Sequence, residues 1–221
     1  MVRGTPKPPT PSAVPKLPHP PAVLATPESA DLVTLGPDAL LWRIYRAGGD
    51  HPVGWEAFRH FGPVANGRFD HHPPPPSEQP DRGIYYASLE IQAAVAESFA
   101  DTRTIDRLHD APWLVAFRPV RAITLLDLSG AWPTRAGASQ AISTGRREIA
   151  QEWSRSIWSA FPGVDGLLYP SAMAGGEVNV ALYERASDAF PAHPALHLPL
   201  AHPGMLDDLN RIAIRYGYSL V

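Results

Sequence analysis

Gly83-Ile84-Tyr85-Tyr86-Ala87, then Ser88, then Leu89 through Phe99, is the stretch on which the fold turns. Its first five residues are apolar and aromatic, which fits a pleated, half-buried strand. Ser88 reads as an N-cap, because its hydroxyl can accept an orphan amide at the start of a helix over Leu89 to Phe99. On that helix Ile91, Ala94, Val95, Ser98 and Phe99 share one face. Tyr85 and Tyr86 are consecutive on the strand and point to opposite sides, so only one of them can line a pocket.

Working outward, Leu40-Leu41-Trp42-Arg43-Ile44-Tyr45 reads as a strand, and Trp55 to Phe61 as a short helix. Downstream, Trp113 to Phe117 and Ile123 to Leu128 are two strands separated by a turn containing Pro119. Ser143 or Thr144 starts a helix on which Ile149, Trp153 and Ile157 recur at four-residue spacing and stack on one face. Leu167 to Tyr169 and Val178 to Tyr183 are strands flanking the turn Ala174-Gly175-Gly176, and Met205 to Tyr216 is a last helix. Strands outnumber helices without alternating strictly with them. The fold class is therefore α+β, a mixed or mostly antiparallel sheet with flanking helices.

A chain of 221 residues is the length of one domain with an extension. Proline is the strongest compositional signal, 26 in all. From Pro6 to Pro27 the prolines remove backbone donors and fix φ, so residues 1–31 read as a flexible, polyproline-like extension before a domain spanning 32–221. A ligand for a proline-reading domain is the functional alternative. Pro73 to Pro76 and Pro80 read as a stiff surface loop.

The absence of Cys excludes disulfide frameworks and thiolate chemistry. A net charge of −3 offers no bulk attraction for nucleic acid or anionic membrane. No apolar window of membrane-spanning length occurs, and the N-terminus lacks a signal-peptide stretch, so a cytoplasmic protein is expected.

The dinucleotide, P-loop, zincin and hydrolase-elbow motifs are all missing. His71-His72 could ligate a metal, but beside four prolines the pair reads as solvated loop. Arg43 interrupts a strand and must find an anion or acceptors, and Arg68 follows the turn dipeptide Asn66-Gly67. Two such arginines could clamp a pyrophosphate through their planar forks, or could each be a structural ion pair. Glu97 lies off the apolar stripe of its helix, on a flank with Glu90, Ala93 and Ala100. That flank is either solvent or a close-packed site. Ser171, after Tyr169-Pro170, can bond a ligand or cap its own turn.

Taken in order, Leu41-Trp42-Arg43-Ile44, Gly67-Arg68-Phe69-Asp70, Ile84 to Ser88 leading through Ala94-Val95-Ala96-Glu97, Tyr169-Pro170-Ser171 and Asn179 to Tyr183 resemble the RES-domain family. The resemblance spans roughly Leu40 to Tyr183. It implies a fold related to ADP-ribosyltransferase toxins and the role of toxin in a bacterial toxin–antitoxin pair. The implied activity is hydrolysis or phosphorolysis of the nicotinamide–ribose bond of NAD+, with NAD+ as substrate and neither cofactor nor metal.

By the same resemblance Glu97, Arg43 and Ser171 are the catalytic set. Arg68, Tyr86, Tyr45 and Asn179 bind substrate, an Xre-type antitoxin covers the pocket, and the toxin forms a homodimer. Three departures stand out: Ile44 where some members have Tyr, Asp70 where many have Asn, and a long, proline-rich loop from His71 to Arg82. The chemistry suits the residue types. Cleavage creates an oxocarbenium-like ribosyl cation that a carboxylate can stabilise, and nicotinamide leaves neutral without a general acid. Two alternatives keep the sequence but change the role: ADP-ribosyl transfer to a protein, and a non-catalytic binding module that recruits a partner through the proline-rich tail.

Overall fold

The computed structural model describes residues 15–221. Twelve strands and four α-helices follow one another: β1 (Leu32–Leu35), β2 (Leu41–Arg46), β3 (Phe61–Gly62), β4 (Ser77–Glu78), β5 (Ile84–Ser88), α1 (Ile91–Ser98), β6 (Thr104–Ile105), β7 (Pro112–Phe117), β8 (Ile123–Asp127), α2 (Trp132–Arg135), α3 (Arg147–Ala160), β9 (Gly166–Pro170), β10 (Val178–Tyr183), β11 (Leu196–Pro199), α4 (Leu206–Tyr216) and β12 (Ser219–Leu220). Eight of the strands form one sheet in the order β1-β8-β9-β10-β5-β2-β7-β11. Every pairing in it is antiparallel except β8 with β9. The expected α+β mixed sheet is thus the observed one.

Alternation along the central strands separates two cores. Leu126, Leu167, Ala181 and Tyr183 face one side, where α3 lays down Ile149, Trp153 and Ile157 beside Trp132. Leu125, Leu168, Val180 and Leu182 face the other, with Tyr85, Phe117, Trp55, Phe58 and Phe190. Tyr85 and Tyr86 divide between these faces, as the period of two requires. A third cluster joins Val95 and Phe99 of α1 to Leu209 and Ile212 of α4. Helix α4 stops at Gly217, whose φ of 68° is the left-handed conformation a C-terminal cap uses.

One feature of the sheet creates the site. Strand β2 pairs with β7 along its whole length, Leu41↔Phe117 to Arg46↔Pro112. Against β5 it pairs only at Trp42↔Ser88. Beyond that contact the two strands splay, and a cleft opens between them.

Four expectations are corrected. No helix forms over 55–61. The segment is turn and bridge, with Arg59 pairing to Ile84, because Trp55 and Phe58 are drawn in turn onto Phe117, Phe190 and Tyr85. Ser88 is no N-cap: it ends β5, α1 begins three residues later without a side-chain cap, and the Ser88 hydroxyl bonds Asn179.

His71 and His72 are not solvated; both are fully buried. His72 Nδ1 bonds the buried Asp70 carboxylate, and His71 Nε2 lies 3.0 Å from Glu184 Oε2. Nor is the whole of 1–31 a loose extension. Residues 1–14 lie outside the described residues, but Leu24 is buried in the α3 core, and the Trp153 and Trp132 indoles donate to the carbonyls of Pro18 and Ala25. Buried indole N–H groups need acceptors, and this segment supplies them. The loop over Pro73 to Pro76 is exposed, as read.

The buried histidine cluster fixes a pH dependence. Burial raises the Glu184 carboxyl, but bonds from His71, the Gly83 amide and the Trp158 indole together outweigh it and hold the group at about 2. Asp70 is lowered too: bonds from His72 and the Val64 amide, with the Arg59 charge, outweigh its burial. Burial holds His71 below the usual imidazole range. All three bind fewer protons folded than unfolded in acid, so each favours the folded state at neutral pH and loses that contribution as pH falls. The loss starts below the ordinary histidine value of 6.5 and deepens from 4.5 toward 2. Urea unfolding at pH 7, 5.5 and 4 is expected to give steadily falling midpoints, and Glu184→Gln to flatten the lower part of that fall.

Candidate functional site

The cleft between β2 and β5 has a volume of about 470 Å³, within the range of small-molecule sites. Its walls come from β2 (Trp42, Arg43, Ile44), β5 (Tyr86, Ser88), α1 (Glu97), the β9 end (Tyr169, Pro170), β10 (Asn179) and the start of α3 (Arg147). Trp42 and Asn179, 137 positions apart, meet here because the strands between them are in register.

Glu97 sits at the inner end, half-buried. Its Oε1 accepts from Ser171 Oγ at 2.6 Å, the Ala172 amide at 3.0 Å and Asn179 Nδ2 at 3.0 Å. Its Oε2 receives no hydrogen bond from the described residues. Asn179 is oriented in turn by Ser88 Oγ, 2.7 Å from Asn179 Oδ1, the two residues being Cα partners across β5 and β10. Ser171 Oγ also accepts from the Ala174 amide at 2.9 Å and the Met173 amide at 3.2 Å. The carboxylate is therefore fixed by one oxygen, and the other is left for a ligand. Such preorganisation is what stabilises developing positive charge without rearrangement.

Four arginines line the same cleft as this carboxylate: Arg43, Arg59, Arg68 and Arg147. Arg59 is already paired, 2.9 Å from Asp70 Oδ2. Arg43 lies with its Cζ 4.0 Å from the Tyr85 ring centroid and donates to the Ala57 carbonyl. Arg68 donates to the Gly145 carbonyl at 2.7 Å; burial and then the Arg147 charge lower its pKa, and it remains a cation. Neither Arg43 nor Arg68 has a carboxylate at ion-pair distance among the described residues. The structural ion-pair alternative is therefore not what holds them. An anion of two or three charges would satisfy the cleft.

Tyr86 and Tyr169 supply aromatic walls. Burial raises both phenols above their ordinary value, so they stay protonated. The Tyr86 hydroxyl accepts the Phe69 amide at 3.0 Å, which ties the turn carrying Arg68 to β5. Asp70 does not reach the cleft. It is buried between Arg59, His72 and the Val64 amide, a structural knot under the same turn.

Arg43, Arg68, Tyr86, Glu97 and Asn179 thus converge as expected from sequence. Two expected residues do not. Tyr45 shares the face of β2 that carries Arg43 but lies one pleat further along, outside the cleft wall, and bonds His197 Nε2 at 2.5 Å, stacked on that ring. Ser171 is not part of the cleft wall; its hydroxyl is turned onto Glu97 and makes it a positioning residue. Ser88, Tyr169 and Arg147 were missed. Arg147 left a trace: it puts a cation at the first position of a helix, where the macrodipole disfavours it.

These features define a class, a split-sheet α+β domain with an arginine-rich cleft around one anchored carboxylate. The chain belongs to the RES-domain family, whose model matches residues 40–202. A chain of the crystal structure of the M. tuberculosis MbcT–MbcA toxin–antitoxin complex is similar in fold, with a TM-score of 0.54 and 18% identity over 80% of this chain and 92% of that one. Comparison with curated protein sequences gives no match. Among the described residues no helix is long and apolar enough to cross a membrane, and no cluster of three or more His, Asp or Glu could hold a metal ion.

Proposed function

We propose that the chain is an enzyme that breaks the nicotinamide–ribose bond of NAD+ and acts as the toxin of a toxin–antitoxin pair. The observation that carries this reading is Glu97, saturated at Oε1 and free at Oε2, inside a cleft otherwise lined by guanidiniums and tyrosines. A dinucleotide has the matching charges: a pyrophosphate for Arg43 and Arg68, and a cationic pyridinium ring for an aromatic wall such as Tyr86.

In the reaction the C1′–N bond breaks with its electron pair going to the ring nitrogen, so nicotinamide leaves neutral. Glu97 Oε2 faces the ribosyl cation that forms. Ser171, the Ala172 amide and Asn179 keep the carboxylate aimed, and the arginines hold the remainder of the substrate in place. The acceptor, water or phosphate, bonds to C1′ and releases a proton. The toxin role, with an Xre-type antitoxin as partner, rests on family membership and on the toxin–antitoxin assembly of the fold relative.

Incubating purified protein with NAD+, with and without phosphate, and identifying products by chromatography tests the reading. Free nicotinamide is the expected product, paired with ADP-ribose in one case and its 1″-phosphate in the other. Label appearing on the proteins of a lysate incubated in parallel with the enzyme and labelled NAD+ instead makes the chain a protein ADP-ribosyltransferase, and NAD+ intact after hours makes it a binding module.

The relay to Asn179 gives a finer expectation. Ser88→Ala frees the Asn179 amide to turn, so kcat is expected to fall about tenfold with KM held, the pattern of an interaction made mainly in the transition state. An unchanged kcat removes Ser88 from the relay.

A further inference from the structure

Resting on the reading of the cleft as an NAD+ site, we infer that the segment Lys16–Ala25 is a strap that positions Arg68, and that Leu17 is its point of contact. The segment precedes the residues that match the family model, 40–202. It runs along α3: the Trp153 indole donates to the Pro18 carbonyl at 2.8 Å, His19 Nδ1 lies 2.5 Å from Glu152 Oε2, and the Trp132 indole donates to the Ala25 carbonyl at 2.9 Å. At its upstream end the strap turns onto the loop before α3. Ser139 Oγ donates to the Lys16 carbonyl at 2.5 Å.

Leu17 is packed so closely on that loop that a Cβ at Gly145 would stand 3.0 Å from Leu17 Cδ2, and 2.7 Å from the Ala141 carbonyl on the same side. Gly145, whose amide donates to the Ala141 carbonyl at 2.6 Å, is thus covered on that side by Leu17. Its carbonyl is the acceptor of Arg68 Nη1. Among the described residues Arg68 has no carboxylate partner, so this carbonyl, on a residue bonded to Ala141 and packed by Leu17, is what fixes the guanidinium in the cleft. A fork held in one orientation loses less freedom on binding an anion than a loose one. The strap therefore acts on substrate affinity rather than on the bond-breaking step at Glu97.

The test compares wild type, Leu17→Ala, Leu17→Met, Arg68→Ala and the Leu17→Ala/Arg68→Ala double variant in NAD+ cleavage. Leu17 is only half-buried, so its variants are expected to fold. Leu17→Ala is expected to raise KM about fivefold with kcat within about twofold, Leu17→Met to restore KM, and Leu17→Ala to add nothing when Arg68 is already gone. A strap that merely stabilises the domain lowers the melting temperature of Leu17→Ala and leaves KM alone, and that result overturns the inference. So does an equal rise in KM in the Arg68→Ala background. Should wild type leave NAD+ intact, the functional reading falls, and the strap is judged by calorimetry with pyrophosphate in the same five proteins. Weaker binding in Leu17→Ala only when Arg68 is present supports it. Equal binding, or none by wild type, overturns it.

Discussion

Glu97→Gln is expected to lower NAD+ consumption by at least about 10²- to 10³-fold, the usual cost of losing one preorganised electrostatic contact. The amide keeps the acceptor at Oε1, so the bonds from Ser171, the Ala172 amide and Asn179 can all remain. What disappears is the negative charge at the second position. The melting temperature should therefore stay within a few degrees of wild type, while turnover, followed by release of nicotinamide, collapses. Retained turnover in a folded Glu97→Gln protein removes the carboxylate from the chemistry and with it the proposed function. The variant discriminates because fold and charge are separable at this residue.

Arg43→Ala carries the second large effect, a fall in kcat/KM of about 10²-fold, because a charge-assisted fork to phosphate is lost from a half-buried site. Arg43→Lys should recover little of it. The Arg43 guanidinium lies over the Tyr85 ring and donates to the Ala57 carbonyl, an arrangement that uses a planar group. Burial pushes the Tyr85 hydroxyl up to about 12, and that hydroxyl donates to the Trp55 carbonyl. Tyr85 thus serves as a platform and not as a base. Isothermal titration with ADP-ribose checks the prediction apart from turnover: weak binding by Arg43→Ala and Arg43→Lys, with normal binding by Glu97→Gln, separates the clamp from the chemistry. Normal ADP-ribose binding by Arg43→Ala refutes the clamp.

Several elements were legible because their signals are local. The strand β10 and the helix α3 follow from runs and spacings that any compact fold must satisfy, and Tyr85 and Tyr86 had to part to opposite faces whatever the topology. The arginine-turn residue Arg68 and the carboxylate Glu97 were legible through family resemblance, which carried Glu97 past the bland reading of an exposed helical flank. The misses share a cause. The Trp55–Phe61 segment has helical spacing, but Trp55 and Phe58 find a larger apolar surface against Phe117, Phe190 and Tyr85 than a helix would offer them. His71 and His72 look like solvated loop until Glu184, more than a hundred residues on, and Asp70 provide the partners that make their burial affordable.

Composition, periodicity and motif order alone determined the α+β class, the family resemblance and most of the residues around the cleft, since each depends on side-chain identity and short spacing. Only the tertiary structure decided that β2 and β5 part after a single pairing, that Ser171 and Asn179 both bond Glu97, that Tyr45 turns to His197, and that Lys16–Ala25 is bound down. Those outcomes depend on which distant groups become neighbours. Burial penalties and hydrogen-bond partners are set by the packed environment, which a one-dimensional spacing does not encode.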